Sequence, residues 1–174
     1  MISWQNIMAS TPLPSLEFRR ALGHFATGVT VITVEREPGL VHGMTANSFA
    51  SVSLDPPLVS VCVDHRARTL PLLKEKQRFG VNVLKQDQQA FSEFFARIEQ
   101  NSEAQERIGV SFRWTQDGVP LIESVLCQLS CKVSSLHVAG DHTLVIAEVA
   151  DAKLFNGEPL LFYRGRYHSI LEGK

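Results

Sequence analysis

The chain has 174 residues, of which 44% are hydrophobic and 20% are charged, a composition typical of a folded globular domain rather than a disordered chain. Its 17 basic and 18 acidic side chains give a net charge of −1, which argues against general binding to a nucleic-acid backbone but leaves a local site for a small anion open. Its start lacks a basic segment followed by a long apolar run, and no stretch approaches the length of a membrane span. We therefore expect a cytoplasmic protein with no secretory signal.

The sequence predicts a loose N-terminal arm over residues 1–14 and a single domain over residues 15–174. Alternating or continuous apolar patterns predict six or so strands, at residues 29–34, 58–63, 79–84, 125–136, 143–154 and near 160–163. Residues 41–52 also have strand character, which small polar residues interrupt. Helical spacing predicts three helices: one capped by Ser15 and carrying Phe18 to Phe25, one over residues 70–76 capped by Thr69, and one capped by Asp87 and carrying Phe91 to Ile98. The run 58–63 is apolar enough to be buried on both faces, and residues 99–113 predict a loop or a frayed helix.

The balance of these elements predicts a β-dominated α+β fold. The strands do not alternate regularly with helices, and no G-x-G-x-x-G follows a strand, so a Rossmann arrangement is not expected. The number and length of the strands would suffice to close a barrel, which removes exposed sheet edges. The three cysteines indicate neither a disulfide framework nor a zinc site, because their number is odd and no second ligand pair accompanies Cys127 and Cys131.

The stretch 43–53 (GMTANSFASVS) is rich in small neutral hydrogen-bonding groups. Hydroxyl or amide side chains occupy five of its positions: Thr45, Asn47, Ser48, Ser51 and Ser53. Such groups suit a flat polar ring with carbonyl and nitrogen edges, and Gly43 and Ala46 would let the backbone approach it closely. Residue types alone favour, by a small margin, a polar loop whose hydroxyls bond their own backbone.

Three further segments carry groups that suit a nucleotide. Residues 64–69 (DHRART) place two arginines at a predicted helix start, which fits a phosphate and equally fits a solvated turn. In GDH (140–142), His142 stands where it could position a substrate, although most loop histidines do not. Residues 163–168 (YRGRYH) could stack on a nucleotide or simply form a terminal strand. We find no nucleophile–base pair, which favours a cofactor that carries the chemistry itself.

Taken together, these segments resemble the flavin reductase-like family with the FMN-binding split-barrel fold, best known for the reductase components of two-component monooxygenases. The match extends over residues 18–171. Six segments carry it: FRRALGHFATGVTVIT (18–33), GMTANSFASVSLDPPLVSVCV (43–63), RTLPLL (68–73), FGVNVL (79–84), GDH (140–142) and YRGRYH (163–168). Their order and spacing are far more specific than any one segment.

The resemblance implies a split β-barrel with a few flanking helices, and it implies site residues. It implies flavin contacts at Met44, Thr45, Ala46, Asn47, Ser48, Ser51, Val52 and Ser53, and further flavin neighbours at Thr27, Gly28, Ala67 and Asn82. His142 is the candidate catalytic residue on the NAD(P)H side, where Arg166 and Tyr167 would assist. The implied reaction is hydride transfer from NADH or NADPH to FMN or FAD, after which reduced flavin leaves for a partner monooxygenase. The family also implies a homodimer with its site near the subunit interface.

Other classes of protein remain open at this point. A flavoprotein with tightly bound FMN could reduce a corrinoid or another protein, and a non-catalytic module could bind flavin or heme. A pyridoxamine-phosphate oxidase-like protein would share the barrel but would not explain GDH. The sequence does not distinguish FMN from FAD as the flavin or NADH from NADPH as the hydride donor, and it does not identify the oxygenase. Residues 99–118 could cover the site.

Overall fold

The computed structural model describes residues 13–170, so most of the predicted N-terminal arm lies outside the described residues. The described residues contain four helices: α1 (Ser15–Leu22), α2 (Thr69–Lys76), α3 (Gln89–Phe95) and α4 (Ser102–Arg107). They contain twelve strands: β1 (Thr27–Gly28), β2 (Thr30–Glu37), β3 (Leu40–Ala46), β4 (Ala50–Leu54), β5 (Pro57–Asp64), β6 (Arg78–Val83), β7 (Phe112–Trp114), β8 (Pro120–Ile122), β9 (Cys127–Ala139), β10 (His142–Leu154), β11 (Leu161–Tyr163) and β12 (Arg166–His168). The predicted β-dominated fold with a few helices is confirmed.

Seven of the strands form one antiparallel sheet in the order β3-β2-β6-β9-β10-β5-β4. Strands β3 and β4 therefore lie at opposite edges, yet only residues 47–49 separate them in the chain. The four steps from Ala46 to Ala50 reach about 14 Å at most. The sheet must curl until its two edges approach each other at this connection.

The curled sheet has a separate apolar core on each face, and β2 contributes to both. Ile32 of β2 packs with Leu73 of α2 in the core on the concave side. Val31 of the same strand packs with Phe95 of α3 in the second core. Because successive side chains of a strand point to opposite faces, the β-branched run of β2 is buried on both sides. This places α2 and α3 on the two sides of β2 and β3.

Several strand boundaries differ from the predictions. The segment 41–52 is two strands, because the chain crosses from one sheet edge to the other at residues 47–49. The chain between β4 and β5 makes a tight hairpin turn, in which Pro57 pairs with Leu54 and begins β5 one residue before the predicted start. Burial of β5 on both faces was wrong for this chain, since buried Val59, Val61 and Val63 alternate with half-buried residues. Strands β1, β7 and β8 were not predicted, and β12 agrees with the terminal strand that was one alternative for residues 163–168.

The helix starts also differ in detail. The N-cap of α1 is Pro14 rather than Ser15, and the N-cap of α3 is Gln88 rather than Asp87. Neither N-cap residue caps its helix with a side-chain hydrogen bond. The first helix ends at Leu22, not Phe25. Within the polar segment 99–113, Asn101 caps α4 by accepting the Ala104 N–H at 2.7 Å. No helix within residues 13–170 is long and apolar enough to cross a membrane.

Candidate active site

A cleft of about 270 Å³ opens between the edge strand β3, the turn that leads into α2, and the chain that follows α3. Its walls are formed by residues 42–45, residues 66–69, and residues 95–98 with Gln100. The structure therefore brings the start of the predicted stretch 43–53 together with the predicted phosphate-binding turn 64–69. Of the predicted flavin residues, Met44, Thr45 and Ala67 line this cleft.

Gly43 allows the helix α3 to pack directly on β3 at the edge of the cleft. A Cβ atom at this position would overlap Cδ1 and Cε1 of the buried Phe95 ring. The Gln100 side chain binds the backbone of Gly43 through two hydrogen bonds. The Gly43 N–H donates to Gln100 Oε1 at 3.0 Å, and Gln100 Nε2 donates to the Gly43 carbonyl at 2.7 Å. This amide satisfies backbone groups that an edge strand otherwise exposes. Sequence analysis did not identify Gln100, because one glutamine in a polar segment carries no periodic signal.

Two hydroxyls of the predicted flavin stretch already donate within the protein. The Thr45 hydroxyl donates to the Ser92 carbonyl at 2.6 Å, and the Ser92 hydroxyl lies 2.9 Å from that of Tyr167. The Ser48 hydroxyl donates to the Cys62 carbonyl and accepts its N–H, both at 3.1 Å. A hydroxyl has a single proton, which Thr45 and Ser48 each donate within the protein, and their contact with flavin stays a prediction.

The rest of the stretch 43–53 divides between core and surface. Ala46 is a buried member of the concave core, and its contact with a ligand stays a prediction. Asn47 is exposed at the crossing between the two sheet edges. Ser51 and Ser53 lie on the edge strand β4, and the bulge between them carries Val52, which is 51% exposed. Contacts of these four residues with a ligand stay predictions.

The GDH segment lies beside the basic turn that lines the cleft. His142 begins β10 directly opposite Asp64 of β5, and the His65 N–H donates to the Asp141 carbonyl at 3.0 Å. The imidazole Nδ1 lies 2.7 Å from the Asp141 carboxylate, which accepts its proton and has its pKa lowered by this bond. Arg66 binds Asp64 through two side-chain hydrogen bonds and holds the pKa of that carboxyl well below its usual range.

The segment YRGRYH is only indirectly connected with the cleft. Tyr167 is half-buried against Phe162, with ring centroids 5.3 Å apart, and reaches the cleft wall through Ser92. Arg166 is exposed and lines a separate surface cavity of about 440 Å³ with Tyr163 and its neighbours. Within the described chain, neither Arg166 nor Tyr167 lines the cleft, and their assistance on the NAD(P)H side stays a prediction.

Thr27 and Gly28, the predicted flavin neighbours that precede β2, also lie away from the lining residues. Both belong to β1, which pairs with β11 rather than with the large sheet. The Thr27 hydroxyl is buried and has no hydrogen-bond partner among residues 13–170. A Cβ at Gly28 would meet no atom within 4 Å. Their contact with flavin stays a prediction.

Comparison with known proteins identifies the family. The sequence profile described as "Flavin reductase like domain" matches residues 22–171. The chain belongs to this family. It is 43% identical to an NADH-dependent flavin reductase of Rhodococcus over 157 residues, which cover 89% of this chain and 86% of that protein. It is 39% identical to the NADH-dependent flavin reductase StyB of Pseudomonas fluorescens over 154 residues, 87% of each chain.

Solved structures of this family share the fold. The flavin reductase PheA2 superimposes with a TM-score of 0.82 at 42% identity, covering 92% of this chain and 100% of the other. The NADH:FAD oxidoreductase SgcE6 of Streptomyces globisporus, in complex with NAD and FAD fragments, has a TM-score of 0.83 at 36% identity, covering 93% and 96%. The resemblance stated from the sequence motifs is confirmed.

The walls of the cleft suit a flavin reductase. Met44, Phe95 and Ile98 present apolar surface to a ring system, and Arg66 and Arg68 present positive charge where the chain enters α2. Guanidinium groups and the N–H groups at a helix start are the usual partners of a phosphate. The donor set thus fits a molecule with an apolar planar end and an anionic end.

Asn82 is not among the residues that line this cleft, and its surroundings favour a structural role over the predicted contact with flavin. The residue is fully buried at 0% exposure in β6. Its Nδ2 donates to the Val31 carbonyl at 2.9 Å and to the Thr33 hydroxyl at 3.0 Å, while Oδ1 accepts the Ile122 N–H at 2.7 Å. These bonds occupy the amide and join β2, β6 and β8, so its role is structural.

Replacing Asn82 with alanine should lower the free energy of unfolding by about 3 kcal/mol, because buried groups such as the Ile122 N–H lose their partner. Urea denaturation measures this loss, and the KM for flavin of the folded variant should stay near the wild-type value. Asn47→Ala is the matched control, for which we expect little change in stability. A stable Asn82→Ala variant with a raised KM for flavin would contradict the structural role.

His42 is a buried histidine at the cleft that sequence analysis did not single out. It is 9% exposed, and its Nε2 lies 3.1 Å from the Thr69 hydroxyl at the start of α2. Burial lowers its pKa, and the positive charges of Arg36 and Arg68 lower it further. The native protein therefore holds this imidazole neutral under conditions in which an exposed histidine takes up a proton.

This depressed pKa predicts a loss of stability in acid. Below the unfolded value of 6.5, the unfolded chain binds a proton that native His42 does not, so the free energy of unfolding falls as the pH falls. Between about pH 7.5 and about pH 5.5, the free energy of unfolding should fall less in His42→Gln than in wild type. The control is His137→Gln at an exposed site, which should show the same fall as wild type. Urea denaturation at both pH values measures it, and equal falls in all three proteins would refute this assignment.

Proposed function

We propose that this chain is an NADH-dependent flavin reductase that passes a hydride from NADH to FMN or FAD and supplies reduced flavin to a partner monooxygenase. The observation that carries the proposal is the meeting of residues 43–45 with the basic turn 66–69 in one cleft, in a family whose relatives include NADH-dependent flavin reductases. A related protein in Mycobacterium tuberculosis, 38% identical over 156 residues, is a reductase subunit of a flavin-dependent monooxygenase.

The residues of this chain would bind and orient rather than supply an acid, base or nucleophile. A flavin held in this cleft would supply the hydride acceptor, and the protein's task would be to align its ring with the nicotinamide. Met44 and Ile98 would contact the flavin ring, and Arg66 and Arg68 its phosphate. His142, held by Asp141 beside the same turn, would contact the nicotinamide.

We also propose that the curled sheet is a split barrel and that the protein is a homodimer. The three-residue crossing between the edge strands β3 and β4 supports the barrel. The helix α1 supports the dimer, because it has no buried residue and exposes Leu16, Phe18 and Leu22 by more than half. A second copy that covers this face would remove apolar surface from water. Residues 15–174 as one domain, and a cytoplasmic location, are part of the same proposal.

Steady-state NADH oxidation with added flavin tests the reductase proposal. We expect a rate that requires added FMN or FAD and saturates with it, whereas a protein without any flavin-dependent rate would contradict the proposal. Gel filtration of the purified protein tests whether flavin behaves as a substrate. Flavin that stays bound through the column would instead indicate a flavoprotein with tightly held FMN, and a heme spectrum would indicate a binding module.

A further inference from the structure

A second cavity, of about 240 Å³, adjoins the flavin cleft on the side of α2. We call it the outer cavity. It shares His42, Arg68, Ile98 and Gln100 with the cleft and adds Arg36 of β2 and Pro71 of α2. A ligand that fills the cleft can therefore extend into the outer cavity without leaving the surface formed by the shared residues.

The outer cavity carries an excess of positive charge. Arg36 and Arg68 both lie near enough to the buried His42 imidazole to lower its pKa. Among the described residues, Arg36 has one acidic partner, Glu37 at 3.2 Å, in an exposed pair of the kind that contributes little energy. Within residues 13–170, Arg68 forms no salt bridge. Two guanidinium groups with a single weakly held carboxylate suit a phosphate-bearing ligand.

The same cavity also offers apolar surface at its rim. Pro71 and Leu72 line it from α2, and Ile98 lines it from the segment after α3. Ile98 is 74% exposed although it is a large apolar residue, and it stands where the cleft and the outer cavity meet. An apolar rim beside two arginines is the combination that a planar base linked to phosphates would use.

We infer that the outer cavity binds the adenosine diphosphate end of a dinucleotide whose redox ring occupies the cleft. The inference rests on the proposed function and adds to it the recognition of the adenylate. Two substrates share this chemistry, FAD and NADH, and continuity with the cleft walls 43–45 and 66–69 favours FAD. On this basis the chain discriminates FAD from FMN through Arg36, which lines the outer cavity but not the cleft.

Arg36→Gln is the sharpest test, because Arg68 would contact either flavin. With saturating NADH, we expect the KM for FAD to rise about fivefold to tenfold, and those for FMN and riboflavin to stay within about twofold. Arg36→Lys should retain part of the FAD preference, since it keeps the charge but not the forked geometry. The matched control is Arg107→Gln on α4, an exposed arginine paired with Glu103 outside both cavities, which should change none of these values.

A second arm separates the two dinucleotides. At saturating FMN, the KM for NADH is compared with that for reduced nicotinamide mononucleotide, which lacks the adenylate. If Arg36→Gln raised the KM for NADH but not the KM for reduced nicotinamide mononucleotide, the outer cavity would bind an adenylate and NADH would be its occupant. If the KM values of Arg36→Gln for FAD and for NADH were both unchanged, the inference would be overturned. Reduction of FMN by the same protein would still support the proposed function. Fluorescence titration with FAD and FMN gives the same comparison without turnover, so an inactive protein would still decide it.

Discussion

Replacing Gly43 with alanine is expected to lower the free energy of unfolding by about 1–3 kcal/mol and to raise the KM for flavin several-fold. The added Cβ would overlap the Phe95 ring, which is buried and packed in the second core. Relief requires α3 to move away from β3, and the wall formed by residues 95–98 moves with it. Thermal and urea denaturation measure the stability, and flavin titration measures the binding.

A double variant distinguishes this overlap from other causes. In Gly43→Ala/Phe95→Leu the smaller side chain removes the overlapping ring atoms, so the loss should be less than the sum of the two single losses by about 1 kcal/mol. Gly28→Ala is the stability control, because a Cβ there meets no atom within 4 Å. Strict additivity in the double variant would show that Gly43 is not required for the contact with Phe95.

The large sheet was predictable because most of its strands carry their own pattern. The β-branched run of β2 and the alternation in β9 and β10 each mark a strand without reference to the rest of the chain. The break within residues 41–52 was not predictable by this means. Both halves have strand character, and what separates them is their pairing at opposite edges of the sheet, which depends on tertiary structure.

The candidate site was predicted where its residues form a local motif and missed where it depends on packing. Residues 43–45 and the turn 66–69 are each a continuous stretch of the chain, and the structure brings the two stretches together. Phe95 fits the apolar stripe of a helix, which indicates a core residue but not the wall of a cleft. Asn82 is a different case, because the family resemblance implied a ligand contact, whereas the side-chain hydrogen bonds of Asn82 are all to buried groups of the protein.

His142→Ala is expected to raise the KM for NADH about tenfold and to leave the KM for flavin within about twofold of the wild-type value. A carboxylate can only accept, so the Nδ1 atom that lies 2.7 Å from Asp141 carries the proton of that bond. This bond fixes the ring orientation and leaves Nε2 available to a ligand. The side chain is about 41% exposed, so a nicotinamide can reach it.

Two comparisons separate a role in nicotinamide binding from a structural one. His137→Ala on the neighbouring strand β9 removes another exposed imidazole, which bonds Ser135, and should leave both KM values near wild type. Asp141→Asn keeps the imidazole but weakens its orientation, so the KM for NADH should rise less than in His142→Ala. If the alanine at position 142 raised the two KM values equally, or lowered stability instead, His142 would be supporting the turn next to Arg66 rather than binding the hydride donor.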